Sequence, residues 1–553
     1  MEGRELLEKY VTNTDDQVFG IHNLQGMVGA VMARYSRAEG GLRQTLLREF
    51  VKENQLNPRK AGKLIDRVLI AYGDDSVGEL EGAHLSFENI SMLATKAIEH
   101  RRIGGSPIEQ STRYVRYDFR DEISGYHYHR PESLQDPEVM ATFQRLMDRI
   151  FDGYREMWQP LTDYLAKRKP LETAEYELSA GRTWREMTTD KQRAAFQRTY
   201  RTDIKTKVCD ILRAFLPLAT RANVGLFGNG RYFQHLISKM LTSPLSEVNF
   251  LGEKAFEELS KLIPHYVKRA QKMTYLAANR QTMEGIVDRY FGDLEPDHGG
   301  DGIHLIEPDH QFIAARLAGV GSSEAVRSAL IDEENLSFTA SLVYGYARGS
   351  FTAIRGRLKK LPRQVTVEVL DAYYGERQVR RDRPERGIEF GYPHNFDLVT
   401  EWAVYKDLMR HRMGTIMIQP MAPDLGFDMP GELESAGLAD IGRRCIALAE
   451  ELYAFLGAKG FRHEREYAML QGHRVRWFLG MNDRALMHLV ELRTTPQGHT
   501  NYRAAAQKMH RLLAERFPDR AARMNHVNHE ESYWARGDAE ARQRRKEEAL
   551  DME

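Results

Sequence analysis

The sequence predicts a soluble protein of helices and strands in which one structural unit occurs twice in tandem. The chain has 553 residues, too many for one core of ordinary size. Three short stretches recur in the same order in its two halves, and a segment rich in Gly and Asp separates them. Hydrophobic residues make up 42% of the chain and charged residues 29%, which is the balance of a globular protein.

The recurring stretches define the repeat. They pair 30–36 with 343–350, 94–102 with 404–412, and 227–236 with 480–489. The clearest pair is an Asn-x-Arg-x-x-x-His pattern that starts at Asn229 and again at Asn482. The offset between paired residues falls from about 310 to 253, so the first copy contains an insertion, which we place at about 136–210. We predict these domains: 1–291, a linker 292–310, a more divergent second domain 311–535, and a charged tail 536–553.

Within the first copy, apolar spacing predicts the individual elements. Ile90–Glu99 is apolar enough for a buried helix or strand, and its period does not distinguish the two. Tyr126–Arg130 alternates like a strand. Residues 136–210 favour helix, which we expect to be mostly peripheral and interrupted by Pro160 and Pro170. Apolar content then rises in 211–248, the expected core, and 255–270 is predicted to form another helix.

Bulk composition excludes several classes of protein. Lys plus Arg equals Asp plus Glu at 79 each, so the whole chain offers no basic field for nucleic acid. The sequence contains no apolar run of membrane-spanning length, and the charged N-terminus does not resemble a signal peptide. Cys209 and Cys445 are the only cysteines, which indicates a reducing compartment without a disulfide framework. We therefore expect a cytoplasmic protein.

Two basic clusters and one Ser-x-Arg pair carry the chemistry that sequence can identify. The clusters are His100-Arg101-Arg102 and Arg410-His411-Arg412, and Ser111-x-Arg113 follows the first. Guanidinium groups bind phosphate with two hydrogen bonds, and a serine hydroxyl adds another. A solvated charged patch is the alternative.

The Asn-x-Arg-x-x-x-His units are compatible with binding a planar heterocycle or a ribose, or with an ordinary capped helix surface. Histidine pairs occur at His127 with His129 and at His526 with His529, without carboxylates or cysteines at ligand spacing, so we expect no metal site. The sequence also lacks a P-loop and a Ser-His-Asp context.

These motifs together resemble those of the flavin-dependent thymidylate synthases. That family has an Arg-His-Arg signature followed after seven or eight residues by Ser and then Arg-Tyr. Residues 73–114, GDDSVGELEGAHLSFENISMLATKAIEHRRIGGSPIEQSTRY, are similar to it. The family's second signature is an Arg-x-x-Leu-Pro run, then Asn-x-Arg, then Leu-x-x-Arg. In the first copy, Arg213 followed by Leu216-Pro217 and Asn229 resembles it. In the second copy, Arg493 follows Asn482.

The resemblance implies an α+β fold in which each domain packs helices around an antiparallel sheet. It implies FAD as cofactor and methylation of dUMP to dTMP with methylenetetrahydrofolate and NADPH. Family members are homotetramers with sites between subunits, so two tandem chains would form a homodimer that acts as a pseudo-tetramer. Nucleic acid and membrane are not expected partners.

The resemblance also assigns roles to residues. Catalysis would involve Arg213 and Arg493, which would also bind the nucleotide together with Gln110, Ser111 and Arg113. The cofactor would be bound by His100, Arg101, Arg102, Asn229, Arg231, His235, Arg410, His411, Arg412, Asn482, Arg484 and His488.

The two copies depart from the family pattern at different places. The first can be aligned either as Glu99-His100-Arg101 or as His100-Arg101-Arg102, and it has Met240 where the second has Arg493. The second has Pro420 near the expected serine and Glu466 in place of Arg213. We therefore predict composite sites formed by unlike copies of one chain. Two alternatives are an enzyme that modifies another uracil nucleotide and a non-catalytic paralogue that binds nucleotide or flavin.

Overall fold

The structure, a computed structural model, describes the chain except for a few short segments. These are residues 1, 18, 37, 39–40, 53–54, 72–74, 101–102, 123–124, 177–182, 298–301, 319–321, 380, 535–536, 540, 543–545 and 547–553. Two of the predicted cofactor residues, Arg101 and Arg102, therefore lie outside the described residues, as does most of the predicted tail.

The strands are β1 (Val51–Lys52), β2 (Gln55–Leu56), β3 (Gly82–Ser91), β4 (Gly105–Glu109), β5 (Arg120–Asp121), β6 (Gly125–Tyr126), β7 (Arg221–Asn229), β8 (Ile303–Leu305), β9 (His394–Glu401), β10 (Thr415–Ile418) and β11 (Arg474–Met481). The α-helices are α1 (Glu2–Leu7), α2 (Val28–Tyr35), α3 (Leu42–Thr45), α4 (Pro58–Asp66), α5 (Met92–Glu99), α6 (Pro137–Arg168), α7 (Asp190–Leu212), α8 (Gly230–Met240), α9 (Ser246–Leu262), α10 (Pro264–Val267), α11 (Thr274–Tyr290), α12 (His310–Leu317), α13 (Ser323–Tyr344), α14 (Phe351–Lys360), α15 (Arg363–Tyr374), α16 (Trp402–Leu408), α17 (Gly431–Ser435), α18 (Ala439–Ala458), α19 (Asp483–Arg493), α20 (Thr500–Arg516) and α21 (Pro518–Ala521).

Packing divides the chain into two compact units. The first contains residues 1–110, 131–133 and 221–274, and the second contains residues 111–130, 134–220 and 275–553. These units are defined by contacts, whereas the predicted domains are defined by the sequence repeat. The predicted domain boundaries stay a prediction. The predicted linker 292–310 contains β8, which pairs with β9.

The first unit contains an antiparallel sheet in the order β3-β7-β4. Residues 90–99, whose type the sequence left open, form the end of β3 and then α5. The change occurs at Ser91, whose hydroxyl accepts a hydrogen bond from the Ala94 N–H and so caps the helix. Helix α8 starts directly after β7.

The second unit repeats this arrangement in its own sheet, β10-β11-β9, to which β8 adds an edge strand. Here α16 follows β9 and α19 follows β11. In both copies a helix of 17 residues comes next, α9 or α20, followed by a single helical turn that begins with proline. The predicted tandem α+β architecture is thereby confirmed.

Strands β9 and β11 are buried along almost their whole length. One face of their sheet contributes Phe478 and Met417 to a core that includes residues of α11, α13, α14 and α15. A strand that is covered on both faces need not alternate apolar and polar residues.

A short antiparallel pairing joins the two copies inside the second unit. Pro217 pairs with Leu470, its counterpart in the repeat, since each lies twelve residues before the matching asparagine. The Leu218 N–H donates to the Met469 carbonyl at 2.7 Å, and the Gln471 N–H donates to the Leu216 carbonyl at 3.0 Å. Counterpart segments thus run past each other as if related by a local two-fold axis.

Helix α6 corrects the prediction that residues 136–210 are peripheral. It packs against α18, with the Cys445 thiol next to Gly153 and 3.8 Å from the Ile150 carbonyl. A continuous buried face, including Phe143 and Leu161, places it in the core. Pro160 lies inside the helix and does not end it, because the packed face outweighs the loss of one backbone hydrogen bond.

Two other predicted elements are shorter than expected. Tyr126–Arg130 was expected to be a strand, but β6 ends at Tyr126, and Tyr128 makes only an isolated bridge to Thr220. The helix expected at 255–270 is the C-terminal part of α9 followed by α10, because Pro264 cannot continue the α9 hydrogen-bond ladder. The core expected at 211–248 is confirmed, with Phe233 and Leu236 fully buried.

Among the described residues, the structure contains no helix that is both long and apolar enough to span a bilayer.

We expect Gly153→Ala to destabilise the protein by about 1–3 kcal/mol, measured as the free energy of unfolding. A Cβ atom at this position would lie 2.3 Å from the Cys445 sulfur. The matched control is Gly285→Ala in α11, where no atom lies within 4 Å of the new Cβ. There the change should stabilise by about 0.5–1 kcal/mol. A stability gain in Gly153→Ala would contradict the close α6–α18 contact.

Candidate functional site

The predicted nucleotide residues Ser111 and Arg113 lie in the loop that follows β4. The Arg113 N–H donates to the Ser111 hydroxyl at 3.2 Å. The Arg113 guanidinium makes a two-pronged ion pair with Asp210 of α7, with N–O distances of 2.6 and 2.7 Å. Burial alone would raise the pKa of Asp210, but Arg113 outweighs it and holds that pKa well below its usual range.

Arg213 lies just after α7 and is 1% exposed. Its Nη1 atom lies 3.1 Å from the Asp407 carboxylate, and its Nη2 atom lies 3.7 Å from Oε1 of Glu401. Burial raises the pKa of Glu401 to about 7 although Arg213 opposes that shift. For Asp407, burial is outweighed by Arg213 and other cations, so its pKa is lowered. The first copy therefore provides the arginine and the second copy both carboxylates.

Arg493, at the C-terminal end of α19, contacts the predicted cofactor residue His411. The Arg493 Nε–H donates to Nε2 of His411 at 2.8 Å. Burial, with Arg493 and His488 adding to it, lowers the pKa of His411 to about 3. The imidazole is therefore neutral at pH 7, as an acceptor of this hydrogen bond must be.

The ring of Tyr502, in α20, lies near both Arg113 and Arg493. The Arg493 guanidinium lies 5.4 Å from the ring centre and the Arg113 guanidinium 5.9 Å from it, and Arg113 also reaches the Tyr502 hydroxyl at 3.4 Å. Arg113, Arg213 and Arg493 are thus gathered around Asp407 and Tyr502. Because Asp407 and Tyr502 belong to the second copy and Arg113 and Arg213 to the first, the arrangement is composite within one chain.

His499 connects α20 to this group. Its Nδ1 accepts from the Asn501 N–H at 3.2 Å, and its Nε2 lies 3.1 Å from the Asp210 carbonyl. Only the neutral tautomer with a proton on Nε2 satisfies both contacts. Burial, reinforced by Arg213, lowers the pKa of His499 to about 3, with Asp210 opposing the shift.

A cavity of about 940 Å³ opens beside these residues. Its wall includes Arg213, Asp210, Glu401 and His499. This volume is sufficient for a nucleotide-sized ligand. Arg113 instead lines a much smaller neighbouring pocket.

Five of the predicted cofactor residues of the second copy are cationic or imidazole side chains, and we name them the α19 basic cluster. It consists of Arg410, His411, Arg412, Arg484 and His488. The rings of His411 and His488 lie 5.5 Å apart, while Arg484 and His488 are exposed one turn apart on α19. Asn482 is the N-cap of that helix and accepts from the Ala485 N–H at 2.9 Å.

In the first copy the corresponding residues have different partners. Asn229 caps α8 by accepting from the Tyr232 N–H at 2.8 Å, as Asn482 does for α19. Arg231 is paired with Glu79 at 2.5 Å. His235 is half-buried on α8, and His100 ends α5.

The remaining predicted nucleotide residue, Gln110, lies at the end of β4. It is bound to Asn223 twice: its N–H donates to the Asn223 carbonyl at 2.9 Å, and its Oε1 accepts from the Asn223 amide at 3.2 Å.

The donor set of the α19 basic cluster fits the chemistry of a flavin dinucleotide. Three guanidinium groups suit a diphosphate, and two adjacent imidazoles offer flat faces and hydrogen-bonding atoms to a planar ring. In the described part of the chain, no group of three His, Cys, Asp or Glu side chains is placed to bind a metal ion.

Comparison with known proteins identifies the family. The model of the thymidylate synthase complementing protein family matches residues 25–265 and 392–519, which are most of the chain. The chain belongs to the thymidylate synthase complementing protein family. The two matched segments correspond to the two copies, in agreement with a tandem duplication of the flavin-dependent thymidylate synthase type.

Relatives of this family member match most of its length. A UPF0159 protein of Chlamydia muridarum is 31% identical over 98% of both chains. One from Chlamydia pneumoniae is 32% identical over 91% of this chain and 90% of its own. A third, from Thermoplasma acidophilum, is 27% identical over 90% of this chain and 95% of its own. Each of these relatives therefore matches about nine-tenths or more of both chains.

Sequence reasoning missed the acidic and aromatic side of the site. Asp210, Asp407, Glu401, His499 and Tyr502 carry no motif of their own. A signal exists for two of them, because Asp210 and Asp407 each lie three residues before a predicted arginine, Arg213 and Arg410. Their partners could not be inferred, since each carboxylate pairs with an arginine from a different part of the chain.

We expect His499→Gln to reduce the acid sensitivity of the protein. The pKa of His499 is lower in the folded than in the unfolded state, so its neutral form contributes stability above about pH 6.5, and this is lost as the pH falls toward 3. Gln cannot titrate. Between pH 6.5 and 4.5, the unfolding free energy of the variant should therefore fall by about 1–2 kcal/mol less than that of the wild type.

Urea denaturation at the two pH values provides the measurement. His526→Gln, at an exposed histidine, should leave the wild-type difference unchanged. An equal loss of stability in wild type and His499→Gln would show that His499 titrates normally.

Proposed function

We propose that this protein is an FAD-dependent enzyme that methylates dUMP to dTMP, using methylenetetrahydrofolate and NADPH. The observation that carries the proposal is the convergence of Arg113, Arg213 and Arg493 around Asp407. These arginines come from both copies and from the positions that the family motifs assign to the nucleotide. Membership of the family supports the same reaction.

The chain's own residues would bind and orient the nucleotide. Ser111 and Arg113 would hold its phosphate, while Arg213 and Arg493 would neutralise charge that develops on the pyrimidine. Asp210 and Asp407 fix the guanidinium groups before the ligand arrives, which reduces the entropy lost on binding. Arg213 and Arg493 are therefore the proposed catalytic residues.

FAD would be held by the α19 basic cluster, and when bound it would supply the redox chemistry of the reaction. The contact between Arg493 and His411 joins this cluster directly to the nucleotide residues. Nucleotide and flavin would therefore lie next to each other. We also propose that the protein acts in the cytoplasm as a homodimer equivalent to a tetramer of single-copy chains.

A second candidate is the modification of another uracil nucleotide. It is favoured by the carboxylates that surround the nucleotide side, because Asp210 already occupies both prongs of Arg113 and Asp407 occupies one edge of Arg213. A nucleotide bound there has to share these arginines with protein carboxylates. A non-catalytic nucleotide- or flavin-binding role is the remaining possibility.

We expect the purified protein to release tritium from C5-labelled dUMP in the presence of FAD, methylenetetrahydrofolate and NADPH. The same assay with C5-labelled UMP should give release at least about tenfold slower, because the additional 2′-hydroxyl would be buried without a hydrogen-bond partner. Faster release from UMP would favour the second candidate. Release from neither nucleotide by protein that carries FAD would contradict methyl transfer.

We expect Arg484→Ala to weaken FAD binding about tenfold or more, because it removes a charge-assisted contact to the diphosphate. Fluorescence titration of the full chain with FAD measures the effect. The matched control is Arg231→Ala, the repeat counterpart, whose side chain is bound to Glu79. It should change affinity less than about threefold. Equal effects at the two positions would contradict the assignment of FAD to the second copy.

A further inference from the structure

Arg213 and Glu401 line the large cavity, and three of their buried polar atoms make no hydrogen bond within the described chain. They are Nε and Nη2 of Arg213 and Oε1 of Glu401. The two residues are 1% and 2% exposed, and both are part of the cavity wall. Nη2 and Oε1 lie 3.7 Å apart, beyond hydrogen-bond distance. Buried polar atoms that make no hydrogen bond are costly, so a ligand that satisfies them gains affinity.

The position of Glu401 provides a second, independent observation. Its repeat counterpart is Ser91, which precedes α5 and caps it with its hydroxyl. Glu401 precedes α16 in the same way, but its side chain makes no capping hydrogen bond. Serine is a preferred residue at that position. The second copy thus gives up a helix cap and gains a carboxylate in the cavity wall.

The two groups together form a donor–acceptor edge. Asp407 binds Nη1 of Arg213. The Nε and Nη2 atoms of Arg213 therefore remain as donors, next to the Glu401 oxygen, which is an acceptor. The complementary ligand has an N–H next to a carbonyl oxygen in a flat ring. This is the lactam edge of uracil and guanine. Cytosine and adenine lack an N–H beside a ring carbonyl.

We propose that Glu401 is a specificity-determining residue that, with Arg213, reads the N–H and carbonyl edge of a nucleobase in this cavity. Glu401 accepts from the ring N–H, and Arg213 donates to the adjacent carbonyl oxygen. The identity of the base as uracil rests on the proposed function, whereas the preference for a lactam edge follows from the two side chains. The motif assignments cover Arg213 but give no role to Glu401.

Calorimetric titration of the full chain with dUMP, N3-methyl-dUMP, dGMP, dCMP and dAMP tests the proposal. We expect dUMP to bind at least about tenfold more tightly than N3-methyl-dUMP and dCMP, because each of these lacks the N3–H donor. Glu401→Ser introduces the residue of the first copy and restores a helix cap, and Arg213 keeps its ion pair with Asp407, so the variant should still fold. It should reduce the discrimination between dUMP and N3-methyl-dUMP to less than about threefold.

The outcomes separate this inference from the proposed function. Tight dUMP binding with equal affinity for N3-methyl-dUMP, or discrimination unchanged in Glu401→Ser, would overturn the role of Glu401 and leave thymidylate synthesis intact. Binding of dGMP but not dUMP, abolished in Glu401→Ser, would support the lactam edge and overturn dUMP as substrate. Binding of none of the five nucleotides would overturn both. Thermal unfolding of Glu401→Ser checks that its effects do not come from misfolding.

Discussion

The site depends on the antiparallel pairing of residues 214–219 with residues 467–472. Backbone hydrogen bonds hold each segment against its own repeat counterpart, with Pro217 opposite Leu470. Arg213 precedes the first segment directly, so the pairing fixes its position next to α16 of the other copy. Backbone hydrogen bonds do not depend on side-chain identity. The two copies could therefore diverge in their motifs without losing this junction.

The divergence of the two copies affected the charged residues of the site. The composite site gathers three arginines, and Asp210, Asp407 and Glu401 lie against two of them. Removing one member of a buried ion pair leaves the other uncompensated and costs about 3–5 kcal/mol. Such residues cannot drift independently. A second composite site would exchange the roles of the two copies. At the positions of Arg113, Arg213 and Arg493 it would have Ala422, Glu466 and Met240. It therefore lacks the cations that a phosphate requires.

The sequence predicted the architecture better than it predicted the site. The tandem repeat was visible because the N-caps of α8 and α19 favour few residue types, and both copies have Asn there. Helix α6 was misjudged because its charged residues and Pro160 suggested a surface segment, while its buried face is recognised only against α18. Arg113, Arg213 and Arg493 could be predicted because they belong to the family's sequence motifs. The carboxylates belong to no motif, because their role comes from partners far away in the chain.

The central claim is that unlike copies of one chain combine into a single nucleotide site. The number of nucleotides bound per chain tests it most directly. Calorimetric titration of FAD-loaded protein with dUMP, at a protein concentration well above the dissociation constant, should give one molecule per chain. Two molecules per chain would show that each copy, or each combination of copies, retains a competent site. That result would contradict a single composite site per chain.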